Sequence, residues 1–527
     1  MNRPLFAPRI TRIIEIGAIG AVFILYALLK AKTLRITAAD EGVYFYAAKL
    51  WLDGLVPYRD FFISHPPVHL LVPALGLWLF GINIPLLNAM PSLLVSSLTG
   101  FLTFRIARRQ WGFLAGFLAA ILFLFSANNL LSSNHMTGVN LSLLFLLTGV
   151  HFFLEGNKSE NPGKTWLLSG AFFGLGTMTG AYVLPGFALI LLSALVTDRS
   201  ALRPLLKGFG LITVPVHLFF MAIAGKAFLM DVYLYHLQKV GESPYFEAVR
   251  SVMVSFLIGD RWLVFPALLG IHMLLLSHVW RREEPLSSLP LIPITLLFLL
   301  DYALFFSFMS RIFRHYLIFT LPFAALLATF GLLSVLQFPL PAHWRSRWTV
   351  VYRALAALSL GGALCWFLIA TVAPYARIAF SYSFTGAYDI AIHVKKVLEP
   401  GETLYGDFGI TPTVALLSGV RIAANEVDAS IMRFEGDFSS LTNTLSAIEA
   451  DHVGGILLRR GVDIDIHEPF REYLLTYYFL ETEFVGADGS GNVDFWRRKK
   501  DVPYKETEAE FSAMEKGYPV RMVRATI

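Results

Sequence analysis

The sequence predicts a polytopic α-helical membrane protein with a small α/β domain towards its C-terminal end. Three observations predict it. Of 527 residues, 56% are hydrophobic and only 15% are charged, against roughly 25% charged in a soluble domain. Several apolar runs reach the ~20 residues that cross a hydrocarbon core about 30 Å thick. After Ser383 the pattern changes to alternating helical and strand-like segments.

The first span is Ile13–Leu29. Arg3, Arg9 and Arg12 precede it, so its start is cytoplasmic. No small-residue cleavage site follows, so an uncleaved anchor is expected. Asn88–Phe104 is the second span and delivers Arg105, Arg108 and Arg109 to the cytoplasm. Further spans at 112–127, 137–154, 165–180, 182–197, 205–225, 256–279, 288–307, 315–337 and 350–373 bring the count to eleven. The cytoplasmic loops then hold Lys158 and Lys164, Arg199, Arg203 and Lys207, Arg281 and Arg282, and Arg345 and Arg347. The outward turns at Asn128–Asn134 and Thr179–Gly180 hold no Lys or Arg. This scheme predicts a cell (inner) membrane protein with a cytoplasmic N-terminus and an extracytoplasmic C-terminal domain.

Val68–Phe80 is apolar but covers only about 20 Å at 1.5 Å per residue. Pro66 and Pro67 suit a helix start and Gly81 its end. It is expected to be a re-entrant or interfacial helix, because counting it as a span reverses every later loop. The predicted domains are 1–383, with a first outer loop at about 34–87, then 384–500, then a charged tail at 501–527. In the second domain helices are expected at Tyr388–Leu398, Ser440–Ala450 and Phe470–Tyr478. Strands are expected at Thr403–Asp407, Val453–Leu458, Glu483–Val485 and Val493–Trp496.

The net charge of +5 fits positive cytoplasmic loops, and no nucleic-acid partner is expected. Cys365 is the single cysteine, so an internal disulfide and a thiolate metal site are excluded. No zinc-hydrolase motif or Gly-rich phosphate loop is present.

Polar chemistry concentrates in Ala39–His69, ADEGVYFYAAKLWLDGLVPYRDFFISHPPVH. Asp40 to Asp53 has helical periodicity. Val43, Ala47, Leu50 and Trp51 share one face, and Gly42, Tyr46, Lys49 and Asp53 another. With Gly54 as terminator, this predicts an amphipathic interfacial helix. Asp40 has two readings. Thr37-Ala-Ala-Asp40 matches a capping box; alternatively, Asp40 is a general base at the membrane surface. Glu41 points about 100° away from it on a helix. A divalent cation, Mg or Mn, bridging Asp40 to Asp60 is a further possibility.

Asp40-Glu41, Tyr44, Tyr46, Gly54-x-x-Pro57-Tyr58-x-Asp60 and Pro66-Pro67 before an apolar helix resemble the first outer loop of GT-C glycosyltransferases. The resemblance is to the protein O-mannosyltransferases and lipid A aminoarabinose transferases. Arg314-His315-Tyr316, followed by Leu321-Pro322, is similar to that family's late Arg-Tyr…Pro segment. The resemblance implies a GT-C-like fold and transfer of a sugar from a polyprenyl-phosphate donor, with inversion. The acceptor is a glycan, a lipid or a protein, and membrane lipids surround the enzyme. By the same analogy the base is Asp40, with Glu41 beside it.

Arg311 and Arg314 fall on the outer side, against the positive-inside trend. Three apart, they share one face if their segment is helical. Together with His315 and Tyr316 they are the expected hold on the donor phosphate. Tyr44, Tyr58, Arg59, Asp60 and His65 are expected substrate contacts. His236 and Lys239, in the loop Tyr233–Arg250, either line the donor or acceptor path or belong to a structural lid or a plain surface loop. Arg250 and Arg261 are outward as well, and headgroup contact suffices for Arg261. Asp301 is an intramembrane carboxylate, a functional candidate or a partner of a neighbouring helix. His217, His272 and His278 are expected in packing or headgroup contact. The rival classes are a transporter or lipid flippase, and an inactive GT-C-like binding protein. No repeated halves are visible, and the polar clusters sit in outer loops and not mid-span.

Overall fold

The computed structural model describes residues 8–31, 34–36, 40–133, 137–156, 158–238, 245–280, 291–309, 311–336, 348–379, 384–435, 438–486 and 491–504. Arg3, Thr37, Lys239, the 281–282 and 345–347 arginines and the tail from 505 lie outside them, as does the side chain of His278. The chain forms two compact units. One comprises Met1–Leu34, Asn88–Val216 and Glu242–Phe380; the other comprises Arg35–Leu87, His217–Gly241 and Ser381–Ile527.

The first unit is helical. A helix occupies each predicted span: Pro8–Ala31, Ser96–Trp111, Phe113–Leu124, Val139–Gly156, Pro162–Thr177, Val183–Thr197, Leu202–Ala224, Arg261–Trp280, Leu291–Ser307, Leu321–Leu336 and Trp348–Ala379. Among the described residues, six helices are long and apolar enough to cross a membrane. There are seven if Glu247–Gly259 and Arg261–Leu276, bent by 89° about Asp260, count as one. Without a hydrophobic force between helices in lipid, close approach at small residues holds such a bundle together. A Cβ on Gly170 would lie 2.0 Å from the Leu205 carbonyl oxygen, and one on Gly208 2.0 Å from that of Leu167. Buried aromatic rings fill the wider gaps. Phe298 stacks on Phe323 at 4.3 Å, and the Tyr302 hydroxyl donates to the Tyr182 carbonyl at 3.1 Å.

The second unit carries a four-stranded mixed sheet in the order β1-β2-β4-β3, with β1 at Thr403–Gly406, β2 at Val453–Arg459, β3 at Tyr478–Phe484 and β4 at Val493–Arg498. Only β1 and β2 pair in parallel. The predicted helices form at Ala387–Val397, Leu441–Ala450 and Glu468–Tyr477. A further helix, Thr411–Ser418, was not foreseen, although Pro412 opens it and Gly419, in the left-handed region at φ 75°, closes it. Two ion pairs brace the sheet, the second of them buried. Arg459 meets both Asp407 oxygens at 2.9 and 2.8 Å, and Arg498 meets both Glu449 oxygens at 2.8 and 3.0 Å.

The outer loop belongs to this second unit and forms two helices, Glu41–Leu52 and Leu71–Phe80. A 3-10 turn, Pro67–Leu70, leads into the latter, and Gly81 (φ 60°) ends it. The first is not the one-sided amphipathic helix expected. Residues 41–48 are all buried. The face carrying Gly42 and Tyr46 packs inward: a Cβ on Gly42 would lie 2.3 Å from Thr413 Oγ1. The Tyr46 hydroxyl accepts from the Ile422 amide at 3.0 Å. Asp40 occupies the N-cap position, yet its backbone is helical (φ −57°, ψ −22°) and its side chain makes no capping hydrogen bond. A capping side chain needs an extended backbone to turn back on the first-turn amides. The capping-box reading turns on Thr37, which lies outside the described residues.

Candidate functional site

In the second unit the loop folds around a cluster of imidazoles and phenols. The Tyr44 hydroxyl hydrogen-bonds His65 Nε2 at 3.0 Å. The His65 and His69 rings stack at 4.3 Å and 9°, and the Tyr44 ring lies 4.3 Å from His69. His236 Nε2 donates to the Ser64 carbonyl at 2.7 Å, with its ring 5.5 Å from His65. Of the predicted contacts, Tyr44, His65 and His236 thus come together. His69, which the sequence did not single out, lies in the 3-10 turn Pro67–Leu70 and joins them by stacking on His65. Asp40 is half-buried at the start of the same helix as Tyr44, while Glu41 is buried.

Tyr58 turns the chain in the left-handed region at φ 68°. Its ring packs edge-on against Phe220 and Phe228, and its hydroxyl donates to the His65 carbonyl at 2.7 Å. Burial raises its hydroxyl well above the usual tyrosine range, helped by nearby Asp231 and Tyr233. This is a structural phenol that shapes the loop. Arg59 and Asp60 answer each other. Nε and Nη2 donate to the two carboxylate oxygens at 2.9 and 2.8 Å, and the Val56 amide adds a third bond at 2.7 Å. These bonds hold the Asp60 carboxyl below its ordinary range. Both Asp60 oxygens are thereby engaged. Among the described residues no group of three or more His, Cys, Asp or Glu side chains is placed to hold a metal ion.

In the first unit Arg311 and Arg314 line one cavity of about 220 Å³ with Ala248, Val249, Val252, Ile312 and Phe313. They reach it by a different route from the shared helical face the spacing suggested. Phe313 is extended (φ −110°, ψ 145°), and a 3-10 helix starts only at Arg314. Arg314 Nε donates to Asn128 Oδ1 at 2.6 Å, and Asn128 Nδ2 donates to Asp260 at 2.6 Å. His315 stacks on Phe313 at 5.7 Å. Tyr316 is buried against Tyr182 at 4.7 Å and is a packing residue. Asn128 and Asp260 were missed. Their only signals were a polar turn and a single carboxylate between apolar runs.

The remaining candidates scatter. Arg250 is exposed. Arg261 lies over the Trp262 ring and donates to the Ile258 carbonyl at 2.9 Å. Asp301 Oδ2 is buried without a hydrogen-bond partner among the described residues. His217 is bonded to the Tyr233 hydroxyl at 2.6 Å, and His272 is exposed.

Residues 64–224 match the family model described as dolichyl-phosphate-mannose-protein mannosyltransferase. The chain is similar to ArnT from Cupriavidus metallidurans in the apo state, with a TM-score of 0.63 at 15% identity, covering 91% of this chain and 97% of that one. This is a GT-C fold. The same GT-C enzyme bound to undecaprenyl phosphate gives a TM-score of 0.60 at 15% identity, over 94% and 99% of the two chains. The apo oligosaccharyltransferase of Archaeoglobus fulgidus, also GT-C, gives 0.56 at 12% identity, over 92% of this chain and 75% of that one. No curated protein matches this chain in sequence. The resemblance drawn from the loop and the Arg-His-Tyr segment holds, and the protein is a multi-pass membrane chain of that architecture.

Proposed function

We propose that this protein is a membrane glycosyltransferase that moves a sugar from a polyprenyl-phosphate-linked donor to an extracytoplasmic glycan, lipid or protein. The observation that carries it is the pair Arg311 and Arg314 lining one cavity in a fold shared with a protein that binds undecaprenyl phosphate. Guanidinium groups match phosphate oxygens with paired hydrogen bonds and offset charge building on the leaving oxygen. Asp40 is the general base. It removes the acceptor hydroxyl proton as that oxygen attacks the anomeric carbon. The bond from that carbon to the phosphate oxygen breaks, and polyprenyl phosphate leaves with the electron pair and the configuration inverted. A phosphate leaves readily, so no strong general acid is required. Glu41 is buried, which leaves it a supporting role behind Asp40.

The same reading keeps residues 1–383 as the transmembrane catalytic part with eleven spans, 384–500 as an extracytoplasmic domain and 501–527 as a tail. The N-terminus is cytoplasmic and the membrane is the inner one. Mass spectrometry of lipid that co-purifies with the full chain identifies the donor class. With that donor, Asp40→Asn should lower transfer about 10²–10⁴-fold, the usual worth of a general base, and leave lipid-phosphate binding intact. Undiminished turnover in the purified variant would remove Asp40 from the mechanism. Lipid movement across vesicles with no sugar transfer would replace the reading with a flippase.

A further inference from the structure

We infer that Asn128 and Asp260 are positioning residues that present the Arg314 guanidinium to a phosphate in the 220 Å³ cavity. The inference rests on the phosphate-binding role proposed above for Arg314.

The orientation of the Asn128 amide is fixed by chemistry. Its Nδ2 faces two acceptors, Asp260 Oδ2 at 2.6 Å and the Phe256 carbonyl at 2.9 Å. Oδ1 must therefore face Arg314, whose Nε donates to it at 2.6 Å. Asp260 is buried and holds more than this amide. It accepts from the backbone amides of Ala127 at 2.6 Å and Asn128 at 3.2 Å, at the start of the short helix Ala127–Ser132. At the other end of that helix Nζ of the fully buried Lys30 donates to the Leu130 carbonyl at 2.7 Å. A carboxylate at the amide end suits the helix dipole, and the Lys30 bond satisfies a carbonyl near the other end. The short helix is thus clamped at both ends, which makes it a stiff mount for Asn128.

The opposite side of the guanidinium is equally confined. A Cβ on Gly259 would fall 2.5 Å from Arg314 Nη2. Arg314 is set between Gly259 and Asn128 with one of its five N–H donors fixed by a neutral amide. A carboxylate in that place would take two donors and cancel the charge. The interposed amide orients the group and leaves its charge to a ligand. The negative charge of Asp260 is directed at backbone amides and at Asn128.

The test compares undecaprenyl phosphate with undecaprenol on the full-length chain in detergent, with folding followed by gel filtration. The two lipids share a tail and differ only in the anion. Asn128→Asp puts a carboxylate on Arg314 and should lower the preference for the phosphate lipid about tenfold or more, the scale of one charged hydrogen bond. Asn128→Ala should lower it in the same direction by less, and both should leave undecaprenol binding unchanged. Asp260→Asn should act like Asn128→Ala. An unchanged preference in both Asn128 variants overturns the inference, as does an equal fall for both lipids, which is the signature of lost packing. If the wild-type chain shows no preference at all, or Arg314→Ala leaves it intact, the phosphate reading itself fails.

Discussion

Arg59 in the outer loop and Arg314 in the helical unit each answer a carboxylate, but at different remove. Arg59 gives Nε and Nη2 to Asp60, its neighbour in sequence, at 2.9 and 2.8 Å. Arg314 meets Asp260 only through Asn128, and by Nε alone. The fork-to-fork pair satisfies both partners locally and leaves little charge for a ligand. The relayed arginine keeps its charge beside a cavity. An arginine adjacent to an aspartate in sequence is therefore a weaker pointer to anion binding than an arginine whose neighbours are neutral.

Removing the two guanidiniums should separate the cases most sharply. Arg314→Ala should weaken polyprenyl-phosphate binding about 10- to 100-fold, in line with 1.5–3 kcal/mol for a hydrogen bond to a charged group. Isothermal titration against the phosphate lipid measures it, and a change under threefold would place the anion elsewhere. Gly259→Ala should act more gently on the same group. The added methyl meets the far end of a flexible side chain, so Arg314 swings aside and the fold survives. Affinity for the phosphate lipid should fall several-fold with the melting temperature nearly unchanged. A lowered melting temperature with intact affinity would show that Gly259 serves helix packing only.

How much of this was legible in the sequence follows the range of the interactions. The helices of the apolar part and of the loop were readable because hydropathy, Pro66-Pro67, Gly54 and Gly81 act within a few residues. The strands of the C-terminal sheet were readable for the same reason, with edges off by a few residues at β3. The burial of both faces of Glu41–Leu52 was not, because its cover comes from Thr413 and Ile422, more than 360 positions away. Arg311 and Arg314 do line one cavity, but through an extended segment and not a helix face. Asn128 and Asp260 meet across 132 residues, and no local pattern announces a contact of that length. Asp40 illustrates the reverse problem: it sits at the N-cap position without a capping bond, and Thr37, the other half of its local motif, lies outside the described residues.

The loop unit also sets two carboxylates in opposition. Burial pushes the Asp231 carboxyl up to about 7, only partly offset by Arg433, whereas Arg59 and the Val56 amide hold Asp60 below its ordinary value. Between pH ~4 and ~7 the folded state keeps the Asp231 proton that the unfolded chain releases, so stability falls as pH rises through that window. Asp60 has the opposite sign, contributing above ~4 and losing that contribution as pH falls, and it contributes little because the pair is exposed. Thermal melts of the detergent-solubilised chain should show a decline from pH 5 to pH 8 that Asp231→Asn removes. A variant with the wild-type slope would mean that Asp231 stays ionised in the folded state.

The smallest effect should come from the two-bond pair of Arg59 and Asp60. Arg59 is exposed at its side chain by 53%, so water already solvates much of the charge that Asp60 answers. Exposed ion pairs contribute about 0–1 kcal/mol, and adjacent residues in one turn lose little further freedom on pairing. Asp60 would keep the Val56 amide bond at 2.7 Å after Arg59→Ala, so the turn itself should hold. The variant should therefore melt within a degree or two of wild type and bind the phosphate lipid with unchanged affinity. A large loss of lipid binding without a change in melting would reverse the comparison. It would mean that Arg59 leaves Asp60 to reach a ligand, and the direct pair would then be a latch and not a neutralised bystander.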